Sequence, residues 1–160
     1  MQLGLIGLGK MGGNMRERLR RAGHEVVGYD RNPDVADVRT MAAMVKKLVA
    51  PRVVWVMVPS GDPTRETIAK LADLLEPGDL VIDGGNSRLT GDFENAKMLA
   101  ARKIGYVDCG VGGGIWGLDT GYGLMCGGAK KWATKAMPSV AAPRHEGRTD
   151  EGVGHAGRER

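Results

Sequence analysis

Two glycine-rich stretches hold the residues whose types and spacing could do chemistry. The first, GLGKMG at 7–12, has the form G-x-G-x-x-G. In that form Gly7 permits a tight turn, Gly9 lets the backbone approach a pyrophosphate, and Gly12 permits close packing of a helix on a strand. Phosphates held along Gly7, Leu8, Gly9, Lys10, Met11 and Gly12 would meet the free amides and positive dipole end of a helix beginning near Lys10. Asp30 closes an apolar run eighteen residues past Gly12, where a dinucleotide site needs an acid to accept hydrogen bonds from the adenosine ribose. A carboxylate there repels a 2′-phosphate and favours NAD. Arg31 keeps NADP open, because its guanidinium could pair with that phosphate or stack on the adenine. The second stretch, DCGVGGGIWG at 108–117, spends five of ten positions on glycine directly after the apolar run IGYVDC. Either a ligand comes close to the backbone there or the stretch is a flexible connection.

These residues need strands and helices to position them, and the pattern supplies both. LGLIG at 3–7 is a continuous apolar run, as in a buried parallel strand. Met11, Met15, Leu19 and Ala22 then mark one face of a helix that Gly23 stops. HEVVGYD at 24–30, RVVWVMV at 52–58, DLVID at 79–83 and IGYVDC at 104–109 read as further strands, with another at YGLMCG from 122. Helical patterns fall at 62–78, 89–102 and 129–137, and short helical pieces between 33 and 50. Strands alternating with helices imply an α/β, Rossmann-like, doubly wound fold: a mainly parallel sheet with helices on both faces. Ligands then bind at the carboxyl ends of the strands, where GLGKMG lies.

Composition narrows the classes. A chain of 160 residues is read as one dinucleotide-binding domain, 1–142, with a tail, 143–160, that has no periodic apolar face and is expected to be disordered. The net charge of +4 owes much to RERLRR at 16–21, which reads as a solvated helix face; without interleaved aromatics it is no nucleic-acid patch. No apolar run is long enough to span a membrane and no signal-peptide pattern opens the chain, so the cytoplasm is the default. Cys109 and Cys126 lack metal-ligand spacing and read as reduced core thiols. Asp83 and Asp108 read as strand-end hydrogen-bonding groups rather than catalytic acids. Composition leaves the oligomeric state open.

GLIGLGKMGGNM, GHEVVGYDRN, VIDGGNS and VDCGVGGGIWGLDTGYGLMCGG together resemble the N-terminal half of 6-phosphogluconate dehydrogenase, the decarboxylating enzyme of the pentose phosphate pathway, in its shorter bacterial form. The resemblance implies a nicotinamide dinucleotide as cofactor. It implies that Val58, Pro59 and Ser60 lie along that cofactor, with Pro59 where many members carry lysine. It gives Asn86 contact with both nicotinamide and substrate, and places Gly112, Gly113 and Gly114 at the sugar acid. The family has serine where Gly112 stands, so one side-chain hydrogen bond worth about 0.5–1.5 kcal/mol is absent. The family's general base and acid come from a downstream helical domain with a K-x-x-H-N-G motif, which this sequence lacks; Lys130, Lys131 and Lys135 precede that region and are not promoted to the role. The chain therefore reads as cut short, binding nucleotide alone and 6-phosphogluconate only with the missing domain. A fragment of another β-hydroxyacid dehydrogenase and a non-catalytic nucleotide-binding module are the alternatives.

Overall fold

The computed structural model describes residues 1–85 and 89–141. The predicted tail and Asn86 lie outside the described residues. Six strands form one sheet: β1 (Gln2–Ile6), β2 (Glu25–Tyr29), β3 (Val53–Val56), β4 (Leu80–Asp83), β5 (Gly105–Gly112) and β6 (Gly123–Gly128). Their order across the sheet is β2-β1-β3-β4-β5-β6. The first five run parallel, and β6 closes the edge antiparallel to β5. The chain steps outward from β1 to β2 and then returns to the other side of β1 to make β3, so the winding reverses between β1 and β3. The carboxyl ends of those two strands diverge and leave a crevice.

Alternation along each strand feeds two cores. Leu3, Leu5, Trp55, Leu80 and Ile82 face one layer, in which Met15 and Leu19 of α1 (Lys10–Arg21) and Ala136 belong to the same core. Ile6, Val54, Val56 and Val81 face the other layer, built from α2 (Met41–Lys47), α3 (Asp62–Leu74) and α4 (Leu89–Ala101) through Met44, Ile68, Leu71 and Leu99. Both layers are fully buried at these positions, each large side chain contributing about 1.5–3 kcal/mol by leaving water. A short helix, α5 (Gly117–Thr120), and α6 (Lys130–Ala141) complete the chain order.

Local chemistry sets the helix ends. Thr40 caps α2 by accepting from Ala43 N at 3.0 Å. Gly23 takes φ +87° after α1, letting its own N–H reach Arg20 O and the His24 N–H reach Leu19 O. Ala22, expected on the apolar face, is the exposed C-cap.

Further sequence expectations change. α3 ends at Leu74, ahead of Pro77, and β4 begins at Leu80. Asp79 is instead a buried acceptor for the backbone N–H groups of Arg52 and Glu76 and for the Arg52 guanidinium. β5 runs on through the first glycines to Gly112, because β6 pairs with it as far as Gly112↔Gly123 and supplies ladder partners that glycine's weak strand preference does not predict. RERLRR is not a uniformly solvated face. Arg16 and Arg20 pair with Asp37 in the segment after β2, and Arg18 donates to Leu118 O at 3.0 Å. Cys109 and Cys126 are buried in the core and stand directly opposite one another across β5 and β6.

Candidate functional site

At the crevice the three glycines of GLGKMG do different work. Gly7 has φ +91°, and a Cβ there would fall 2.4 Å from Met57 O, so the turn passes close over the end of β3. A Cβ on Gly12 would fall 1.8 Å from Gly7 O, so α1 can sit on the turn only with glycine in its first turn. Gly9 is the contrast: a Cβ there meets nothing within 4 Å. Neither sterics nor a positive φ requires glycine at that point. It leaves open space over the start of α1, which has no side-chain cap and no acidic residue in its first turn. The uncapped amides and helix dipole make that opening suited to an anion.

Asp30, just past β2, accepts from Leu8 N through Oδ2 at 2.7 Å and from Asn32 N through Oδ1 at 2.8 Å. The carboxylate thus clamps the glycine turn to the end of β2 and keeps its remaining lone pairs for another donor. Leu8 enters the site through its backbone only, since its side chain belongs to the core.

A cleft of about 650 Å³ opens here and brings together Gly7, Gly9, Lys10, Met11, Gly12, Asp30, Arg31, Val58 and Pro59. Ser60 is exposed and does not line it. Gly112, Gly113 and Gly114 lie beyond it, with Val111, just before them on β5, forming the nearer wall. Gly113 takes φ +118° and Gly114 φ +54°, and a Cβ on Gly114 would again meet nothing within 4 Å. Gly112 carries no such constraint, because a Cβ there would make only an ordinary contact of 3.6 Å with Gly123 O.

One wall of the cleft was not among the residues expected from the sequence. Pro63, Glu66, Thr67 and Lys70 line the cleft from α3, at i, i+3, i+4 and i+7. That spacing is legible, but polar residues on one helix face are indistinguishable from solvated ones until the neighbouring element is known. Gly84 and Gly85 line the opposite end. A Cβ on Gly84 would lie 2.4 Å from Met57 Sδ, and one on Gly85 2.6 Å from Thr64 Oγ1. Asp83 beneath them accepts from Gly85 N at 2.9 Å and from the Tyr106 hydroxyl at 2.8 Å, the strand-end role expected of it. Among the described lining residues the ionisable side chains, Lys10, Tyr29, Asp30, Arg31, Glu66 and Lys70, belong to the glycine turn, the end of β2 and α3; the end formed by Met57, Gly84, Gly85 and Val111 has none.

Residues 2–143 match the model of the NAD binding domain of 6-phosphogluconate dehydrogenase. The chain belongs to this family. It is 37% identical to an NAD(+)-dependent, decarboxylating 6-phosphogluconate dehydrogenase of Haloferax volcanii, over 97% of this chain and 56% of that protein. It is 33% identical to the corresponding NAD(+)-dependent enzyme of Bacillus subtilis, over 85% of this chain and 32% of the relative. The chain thus spans about half the length, or less, of these relatives. Among solved structures, 3-hydroxyisobutyrate dehydrogenase of Mycobacterium tuberculosis superposes with a TM-score of 0.84 at 25% identity, covering 96% of this chain and 53% of that one. Plasmodium falciparum 6-phosphogluconate dehydrogenase, studied with NADP+ and with 6-phosphogluconate, superposes with a TM-score of 0.86 at 24% identity, covering 98% of this chain and 37% of its own. The fold is the Rossmann-like, mainly parallel α/β architecture of these dehydrogenases.

Proposed function

We propose that this chain binds NAD in the cleft between β1 and β3 and serves as the cofactor-binding part of a 6-phosphogluconate dehydrogenase. The observation that carries the reading is the opening at Gly9: a glycine that packing does not require, over uncapped helix amides, with an acid clamped beside it. The amides from Gly9 to Gly12 would hold the pyrophosphate, and Asp30 would accept from the adenosine ribose while its bonds to Leu8 and Asn32 keep the turn in place. Arg31 and the α3 wall would flank the adenine, and Val58 and Pro59 would run along the cofactor toward Gly84 and Gly85. Asp30 favours NAD over NADP through repulsion of a 2′-phosphate. Bound NAD supplies the hydride acceptor for oxidation of the C3 hydroxyl of 6-phosphogluconate, a step coupled to loss of carbon dioxide to give ribulose 5-phosphate.

This chain's own share of that reaction is positioning. Asn86, immediately after Gly85, and the backbone at Gly112, Gly113 and Gly114 would present the sugar acid at the far end of the cleft. Proton transfer is assigned outside the described residues, because the lining there holds no ionisable side chain. A missing base within reach of the hydroxyl forfeits the usual factor of about 10² to 10⁴. Residues 1–142 act as the nucleotide-binding domain in this reading. Trp116 is 72% and Met125 68% exposed, and in this reading a further domain covers them.

The test is thermal unfolding of the purified 160-residue polypeptide with NAD, with NADP and with neither. At 100 times its dissociation constant a ligand of the folded state adds about 2.7 kcal/mol and raises the midpoint. A larger rise with NAD than with NADP is expected, with no turnover of 6-phosphogluconate at an enzyme-like rate. No shift with either nucleotide overturns the reading. The similarity to 3-hydroxyisobutyrate dehydrogenase supports, as second reading, another β-hydroxyacid substrate; a substrate screen on this polypeptide joined to a helical domain of the family separates the two.

A further inference from the structure

The turn that follows β5, residues 113–121, connects two antiparallel strands through Gly113 at φ +118° and Gly121 at φ +85°. Held only by its ends, such a connection moves independently of the cofactor cleft. Here it is fastened elsewhere. The Arg18 guanidinium, on α1, donates from Nη1 to Leu118 O at 3.0 Å, a contact between residues a hundred positions apart. One helical turn earlier on the same face is Asn14. The Tyr122 hydroxyl lies beside Asn14 and Arg18, and its ring, 1% exposed, fills the place where a Gly117 Cβ would be, 2.0 Å from its Cε1. α1 packs along both α5 and the 3-10 turn Gly114–Trp116 that precedes it. The other arginines of the run turn away: Arg16 and Arg20 to Asp37, Arg21 to Glu17. Arg18 alone of the four serves the glycine-rich turn.

We infer that Arg18 is a positioning residue that carries the glycine-rich turn on the phosphate-binding helix, so that a nucleotide held at the start of α1 steadies residues 114–121. The inference rests on the proposed nucleotide site. From Lys10 to Arg18 is eight residues of one helix, about 12 Å, a rigid strut between the pyrophosphate amides and the turn. Anchoring the first end of the strut restrains the second, and Arg18 transmits that restraint to the Leu118 carbonyl.

Amide hydrogen exchange of the full chain tests this with ADP as the probe, since ADP has the adenosine and pyrophosphate but no nicotinamide to touch the turn directly. Saturating ADP is expected to slow exchange at 114–121 by about fivefold or more. Arg18→Met keeps the aliphatic stem and removes the donor: ADP still binds, and the added protection at 114–121 disappears. Arg18→Lys, which can still reach the carbonyl, restores it. By reciprocity the methionine variant loses no more affinity for ADP than it loses in protection. Arg18→Gln, too short to reach Leu118, gives the same comparison if the methionine variant does not fold. A merely structural arginine would lower protection with and without ADP alike and leave the ADP-dependent increment intact, which overturns the inference. So does an absence of added protection in the unmodified chain when titration shows ADP bound. Failure of both ADP and NAD to bind removes the site reading itself, and the inference with it.

Discussion

Replacing the three glycines of the turn by alanine, one at a time, separates space kept for packing from space kept for a ligand. Gly9 sits at φ −64°, ψ −166°, a conformation open to alanine, and its Cβ would touch nothing within 4 Å. Alanine there gains about 0.4–1 kcal/mol from a less flexible unfolded chain and loses a comparable amount as a poorer N-cap. The midpoint of unfolding should therefore move by less than about 4 °C. The methyl group would stand where the pyrophosphate meets the backbone. Overpacking of that kind costs about 1–3 kcal/mol, so the Kd for NAD should rise by roughly 5- to 150-fold. Gly12→Ala reverses the outcome: its Cβ, 1.8 Å from Gly7 O, forces α1 off the turn. A loss of about 3 kcal/mol or more and a midpoint lower by roughly 6–12 °C are expected. Gly7→Ala behaves like Gly12→Ala, since φ +91° and the 2.4 Å approach to Met57 O both oppose a side chain. Calorimetric unfolding and NAD titration of the same samples decide the matter. A Gly9→Ala chain that binds NAD as tightly as the parent refutes the assignment of that space to a nucleotide, and one as unstable as Gly12→Ala refutes the steric argument.

Two further outcomes follow from contacts already described. Asp30→Asn leaves one acceptor oxygen for two backbone donors, Leu8 N and Asn32 N, at a cost of about 1–3 kcal/mol; isothermal titration should show weaker NAD binding and a smaller preference over NADP, and an unchanged preference would count against Asp30 as its source. The Cys109 thiol is pushed up from its usual range by its hydrogen bond to Cys126 and by burial, so iodoacetamide at pH 8.5 should label Cys109 no faster than the chain unfolds; rapid labelling of the native protein would contradict that.

The amino-acid sequence by itself determined the alternation of apolar runs and helical faces, hence the α/β class, and the placement of GLGKMG between a strand and a helix with Asp30 closing the next strand. Those features are local: side-chain period, turn glycines and helix stops act over a few residues, and the structure keeps them with boundary shifts of a few positions at most elements. What the tertiary structure decided is which segments meet. β6 lies antiparallel at the edge and turns the first residues of DCGVGGGIWG from loop into strand. The α3 residues Pro63, Glu66, Thr67 and Lys70 become a wall only because β1 and β3 diverge at the reversal of the winding. Arg18 looks like its three neighbours in sequence and differs from them by facing Leu118, and the two cysteines become a pair only through strand register. Each of these depends on pairing between residues far apart in the chain, which a periodicity cannot encode because the same pattern is compatible with several partners.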